Sequence, residues 1–144
     1  WVSLRKFYRS DGVWNKVMAR NELLTKVRVS MSATHCAMSY QKLRRRGSID
    51  FPWVSLGLSY KPTSFGGEDL SVVVSAIAAK PKLIRLSSQL TDLTEAGIAS
   101  VAQRVFDQVR PLSNIDADID WRRAMSRTLT LKAFEEAMSR SPLP

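Results

Sequence analysis

The residues best equipped for chemistry lie in one stretch, Tyr40-Gln41-Lys42-Leu43-Arg44-Arg45-Arg46-Gly47-Ser48-Ile49-Asp50-Phe51-Pro52. Four cations fall within positions 42–46, one carboxylate follows at Asp50, and an alternating apolar run begins directly afterwards. Ammonium and guanidinium groups at that density can stabilise negative charge on a phosphate or on a reduced, electron-rich cofactor. On this reading Lys42, Arg46 and Asp50 converge on a bound group. A plainer reading has the arginines as solvated charges that keep a strand end from pairing with other chains.

Elsewhere the chemistry thins out. With one His and one Cys, there is neither a zinc site nor a Cys/His nucleophile pair. The sequence contains no Walker-type loop, no G-x-G-x-x-G and no nucleophile elbow; Gly66-Gly67 is an isolated pair in a turn. His35 reads as a solvated connector residue. Asp116, Asp118 and Asp120 lack the glycine and closing glutamate of a calcium loop, and read as acids at a helix N-terminus. Trp121 and Phe134 read as core. As an autonomous catalyst the chain has nothing to work with.

The elements that must position the basic stretch follow from periodicity. Val2 to Tyr8 is short and partly alternating, and Asp11-Gly12 marks a turn. Leu24-Thr25-Lys26-Val27-Arg28-Val29 alternates as a strand would, and Ser30 to Thr34 is a small-polar connector and the best boundary. A second strand is expected from Cys36 to about Lys42. A third is expected with Val54, Leu56, Leu58 and Tyr60 on one face and Ser55, Gly57 and Ser59 on the other. Lys61 to Gly67 breaks it, and Leu70 to Ala78 resumes as a fourth, giving a small antiparallel meander.

After Pro81 the pattern turns helical. A short helix is expected near Leu86–Leu90. A longer one carries Ile98, Val101, Ala102, Val105, Phe106 and Val109, with Thr94 as N-cap, Leu93 and Ile98 as a hydrophobic staple, and Pro111 as the stop. The last helix runs through Trp121, Met125, Leu129, Phe134 and Met138, and Ser141 to Pro144 is expected to fray. The fold class is α+β, a small antiparallel sheet of three to four strands in a meander with two or three helices on one face.

The 144 residues suit one domain or one domain plus a fragment of another, and 44% hydrophobic content is enough for a core. No apolar run is long enough for a membrane span. Single Cys36 suits a reducing cytoplasm. The chain begins at Trp1, in mid-strand by pattern, and reads as a piece of a longer polypeptide. Its net charge of +9 is uneven: residues 1–50 hold 11 Lys/Arg against 3 acids, residues 51–144 hold 11 against 10. Such asymmetry marks an anionic partner or a face that meets another part of the protein.

Tyr-x-Lys-x-x-x-Arg-x-x-x-Asp followed by an alternating strand resembles the opening of the C-terminal domain of the FAD-binding subunit of molybdenum hydroxylases. That family includes carbon monoxide dehydrogenase flavoprotein, xanthine dehydrogenase and the hydroxybenzoyl-CoA reductases. Val72 to Pro81 is similar to the family's strand exit, and Trp121-Arg122-Arg123 through Leu129 to its closing-helix signature. Asn21 to Val27 resembles the strand that ends the family's FAD-binding domain. The resemblance covers almost the whole chain.

It implies that residues 1–33 are the tail of the FAD-binding domain and residues 34–144 the α+β domain beside the flavin. It implies Leu24 near the isoalloxazine ring, Lys42 reaching the flavin region, and Arg46 with Asp50 as a charged pair on the adjoining loop. The implied cofactor is FAD in the full-length subunit. Molybdopterin and iron–sulfur clusters would sit in partner subunits or domains, passing electrons to or from the flavin. Arg44-Arg45-Arg46 and Ile-Asp-Phe-Pro lean toward the hydroxybenzoyl-CoA reductase branch. The family's pyrophosphate-cradling glycine segments have no counterpart here, so the chain alone is expected to bind FAD poorly. A small basic α+β module that binds nucleic acid is the alternative; against it, aromatics are not interleaved with the basic stretch, where base stacking would need them.

Overall fold

A computed structural model describes residues 1–63, 66–86, 93–113 and 115–140, the side chains of 63 and 66–68 excepted. Four strands form one antiparallel sheet in chain order: β1 (Ala37–Leu43), β2 (Val54–Thr63), β3 (Gly66–Ser75) and β4 (Lys82–Arg85). Two helices cover one face, α2 (Glu95–Gln108) and α3 (Ile119–Arg140), while a single turn, α1 (Leu4–Phe7), and a 3-10 turn (Met31–His35) precede the sheet. This is the α+β meander that the periodicity implies. None of the helices among the described residues is long and apolar enough to cross a membrane.

Strand alternation decides which face is dry. Val54, Leu56, Leu58 and Tyr60 of β2 are buried, as are Leu70, Val72 and Val74 of β3 and Ile84 of β4. They meet Val101, Val105 and Val109 from the α2 stripe and Leu129, Ala133, Phe134 and Ala137 from α3. The rings of Tyr60 and Phe134 lie 5.8 Å apart, tilted by 36°, and burial raises the Tyr60 phenol above its usual pKa. Every buried side chain lies between residues 37 and 137 among the described residues; positions 1–36 contribute none.

Helix α2 starts where its sequence signals a start. The Thr94 hydroxyl accepts from the Gly97 N–H at 3.2 Å, and Leu93 and Ile98 both pack against the core. The helix ends at Gln108, three residues before the expected stop at Pro111. At α3 the Asp118 carboxylate accepts from the Trp121 N–H at 2.6 Å, so one of the three spaced acids is a cap.

Five expectations need correction, the first being the break at Lys61 to Gly67: β2 runs on to Thr63 and β3 starts at Gly66, with Pro62 paired to Gly67, so the glycine pair lies in a strand. Residues 22–30 form no regular structure, and Val27 and Val29 are exposed; alternation makes a strand only where a neighbouring strand supplies hydrogen bonds. Val2 to Tyr8 is broken by α1 instead of running on as a strand. The segment after Pro81 begins with β4, too short at four residues, with only Ile84 buried, to show a period. The buried stripe of α3 is Arg122, Ser126, Leu129, Thr130, Ala133, Phe134 and Ala137, whereas Trp121 and Met138 are exposed. That stripe is small and polar because the helix satisfies its own hydroxyls: Ser126 donates to the Arg123 carbonyl at 2.6 Å and Thr130 to the Ser126 carbonyl at 2.8 Å. The expected short helix at Leu86–Leu90 lies outside the described residues beyond Leu86, as does the expected fraying at 141–144.

At the exit of β3 the chain turns through Ala76 with φ 64. A left-handed conformation costs an L-residue roughly 1–2 kcal/mol, and glycine adopts it freely at an unfolded-state cost of roughly 0.4–1 kcal/mol. Ala76→Gly is therefore expected to raise stability by about 0.5 kcal/mol, read as a higher urea midpoint at unchanged slope.

Candidate functional site

The sheet face turned away from the helices is built from rows that the register fixes. Met38 pairs with Ser59, Tyr40 with Gly57 and Lys42 with Ser55 across β1 and β2. Across β2 and β3, Ser55 pairs with Ser75, Gly57 with Val73 and Ser59 with Ser71, and Val73 pairs in turn with Leu83 of β4. The middle of this face is thus glycine and serines, low and polar, with Tyr40 on one flank and Val73 on the other. A Cβ added at Gly57 would meet nothing within 4 Å, so the strip above it is open. Met38 and Tyr40 are exposed, and Lys42 stands on the same face as Tyr40.

The loop from β1 to β2 continues that face. It is closed by the Trp53 N–H donating to the Leu43 carbonyl at 2.8 Å. Inside it the Asp50 carboxylate accepts from the Arg46 guanidinium at 3.4 Å, from the Arg46 N–H at 3.0 Å and from the Phe51 N–H at 2.9 Å. Those donors, the Arg46 side chain above all, hold the Asp50 carboxyl below its ordinary pKa. Arg44 donates to the Ser48 carbonyl at 3.1 Å, which leaves Arg45 as the arginine of the triplet that the described residues do not engage. A cleft of about 360 Å³ opens beside the loop, lined by Arg45, Arg46, Asp50, Phe51, Trp53 and Ile115 among others. Ile49 and Phe51 stand 96% and 90% exposed at its tip. The structure therefore does set aromatic rings beside the arginines, which the linear order of residues conceals.

Of the four residues singled out in sequence, Arg46 and Asp50 are in contact and Lys42 lies on the strand that feeds their loop. Leu24 is exposed in the irregular segment 22–30, and none of the described contacts joins it to the other three. Two residues that the sequence names without giving them a site role join the site here: Tyr40, which opens the motif, and Gly57, on the second face of its strand. Their pairing depends on register; the only linear signal is a glycine inside an otherwise side-chain-rich strand, which often marks close approach of another group.

Behind the loop lies Arg122, fully buried at 0% exposure. Its guanidinium donates to the Trp53 carbonyl at 3.1 Å, to the Leu112 carbonyl at 2.6 Å and to the Ala76 carbonyl. Desolvation draws its pKa down, but arginine starts so high that it stays charged at neutral pH. Next to it, Arg123 sits 4.1 Å over the Phe106 ring and donates to the Phe106 carbonyl at 3.0 Å. The two arginines that opened the closing-helix signature are thus structural ties.

The sequence matches no family model and no curated protein. Solved structures do match. Carbon monoxide dehydrogenase from Hydrogenophaga pseudoflava, which lacks the Mo-pyranopterin moiety of its molybdenum cofactor, aligns over 96% of this chain and 48% of its own, with TM-score 0.77 and 18% identity. Reconstituted CO dehydrogenase from Oligotropha carboxidovorans aligns over 94% and 48%, with TM-score 0.75 and 18% identity. Quinoline 2-oxidoreductase from Pseudomonas putida 86 aligns over 72% and 38%, with TM-score 0.63 and 17% identity. The chain spans about half the length of the first of these. At such identities the likeness is one of fold, and it is the fold that the resemblance to the molybdenum-hydroxylase flavoprotein implies.

Proposed function

We propose that this chain is the C-terminal part of the FAD-binding subunit of a molybdenum hydroxylase-type oxidoreductase, completing the flavin site without catalysing a reaction alone. The observation that carries the reading is the open strip at Gly57, flanked by Tyr40 and Val73 and bordered by Lys42, on a fold shared with CO dehydrogenase. Residues 34–144 form the domain that presents this strip, and residues 1–33 are the tail of the FAD-binding domain; the burial pattern agrees, since positions 1–36 add nothing to the core.

The residues present fit the ring end of a flavin. A bare strip accepts a flat ring, a tyrosine beside it offers an aromatic face, and half-buried Ser75 offers a hydroxyl in the Lys42 row. They do not fit the pyrophosphate, for which the sequence has no glycine-rich cradle. Bound flavin supplies the electron-transfer chemistry, between the implied iron–sulfur and molybdenum partners and an outside acceptor. Lys42 places positive charge where a reduced ring becomes negative, while Arg46 is already committed to Asp50. Leu24 remains a candidate contact to the ring from the tail segment. The lean toward the hydroxybenzoyl-CoA reductase branch rests on residues 44–52 alone. Nucleic-acid binding is the less favoured reading, because the shared fold is that of oxidoreductases.

Lys42→Ala in the full-length subunit tests the assignment. Removing the cation is expected to lower the flavin midpoint potential by about 30 mV, or to weaken FAD affinity by a matching factor of about ten, with the melting temperature unchanged. An unaltered potential and affinity in a folded protein removes Lys42 from the site. A folded full-length subunit that neither carries nor takes up FAD removes the function.

A further inference from the structure

A second cleft, of about 990 Å³, lies on the far side of the same sheet face, between α1 and the β3–β4 edge. Its volume is at the upper end of the roughly 300–1,000 Å³ that small-molecule sites occupy. The cross-strand pair Val73 and Leu83 forms one wall and Leu4 with Tyr8 the other. The floor is tied down: the Leu112 N–H donates to the Ile77 carbonyl at 2.9 Å, and the Lys82 ammonium donates to the Gln108 carbonyl at the end of α2.

Charge in this cleft has one sign. Its charged lining residues are Arg5, Lys80 and Lys82, with no Asp or Glu. Lys82 is occupied by the helix terminus, whereas Arg5 and Lys80 make no ion pair or side-chain hydrogen bond among the described residues. Apolar walls with two uncommitted cations suit a ligand with an apolar body and one anionic end.

We infer that the cleft between α1 and the β3–β4 edge binds an amphipathic carboxylate, its tail against Val73 and Leu83 and its carboxylate at Arg5 and Lys80. Apolar contact supplies affinity, and the two cations choose the sign of the headgroup. This cleft borders the strip at Gly57 at Val73, but its cations, Arg5 and Lys80, belong to the cleft alone and its test does not depend on the flavin reading.

The test is calorimetric titration of the protein with sodium dodecanoate below its micellar range, beside dodecyltrimethylammonium, which has the same tail and opposite charge. One saturable dodecanoate site is expected, with the cation binding at least about tenfold more weakly. Leu83→Asp is expected to weaken dodecanoate at least about tenfold, and Leu83 is half exposed on an edge strand where charge is tolerated. Arg5→Glu with Lys80→Glu, both at exposed positions, is expected to reverse the preference toward the cation. Non-saturable uptake, equal affinity for the two amphiphiles, or indifference to Leu83→Asp in a folded protein overturns the assignment. So does self-association that Leu83→Asp abolishes without any dodecanoate binding, which would make the cleft an interface between copies.

Discussion

Replacing Arg122 by methionine is expected to cost about 4 kcal/mol of folding stability. Methionine has similar reach and keeps the apolar contacts of the stem, so the loss isolates the guanidinium. Three carbonyls, of Trp53, Ala76 and Leu112, would then lose a buried donor. An orphaned buried polar group costs about 1–3 kcal/mol, and relaxation or an entering water recovers part of the sum. A domain of this size has only about 5–15 kcal/mol in total, so the melting temperature should fall by roughly 10 °C. Arg122→Lys should recover little, because one ammonium cannot span three carbonyls from three different segments. Urea unfolding of both variants measures the effect. A loss under about 1 kcal/mol would show that water or neighbouring groups already serve those carbonyls. The size of the expected effect follows from topology: the three acceptors belong to the start of β2, the exit of β3 and the link from α2 to α3, and among the described residues no other side-chain hydrogen bond joins these segments.

Gly57→Val in the full-length subunit should do the opposite, sparing the fold and striking the function. A Cβ there meets nothing within 4 Å, and the cross-strand neighbours Tyr40 and Val73 are an aromatic and a β-branched residue, good company for valine. Stability is therefore expected to hold or to rise by about 0.5–1 kcal/mol, since glycine weakens a strand interior. The new methyl groups stand where a flat ring would lie. FAD retained through desalting should fall at least about tenfold, read from the flavin absorbance per polypeptide. Full retention of flavin by a stable Gly57→Val subunit would place the ring elsewhere and return the strip to ordinary surface.

Much of the fold could be read from the sequence because local signals and burial agreed. The alternation of Val54, Leu56, Leu58 and Tyr60 marks a strand with one dry face, and Thr94 is a cap in sequence and in structure. The failures share a cause. Leu24 to Val29 alternates, yet a strand needs a partner to supply its ladder. The expected α3 stripe holds at Leu129 and Phe134 but not at Trp121 and Met138; the structure also buries Arg122, Ser126 and Thr130, whose polar atoms are satisfied by carbonyls that sequence does not reveal. Hydrophobicity locates a face only when polar side chains stay outside. In the candidate site, Lys42, Arg46 and Asp50 were legible as a dense cluster of charge. Tyr40 and Gly57 were not, because what brings them together is the register of two strands.

The placement of Trp53 also bears on how the arginine loop meets any partner. Its N–H closes the loop against Leu43, its carbonyl is held by Arg122, and its ring meets Trp121 edge-on at 5.4 Å. The returning end of the loop is therefore fastened to the folded body through backbone and side chain together. Whatever conformational entropy is surrendered when the loop settles on a ligand must come from positions 44–52, at roughly 1–2 kcal/mol for each residue newly fixed. The Asp50 bonds to Arg46 and Phe51 already restrain part of that span before any ligand arrives. The affinity of this surface is thereby set as much by how few residues remain to be ordered as by the charges they carry.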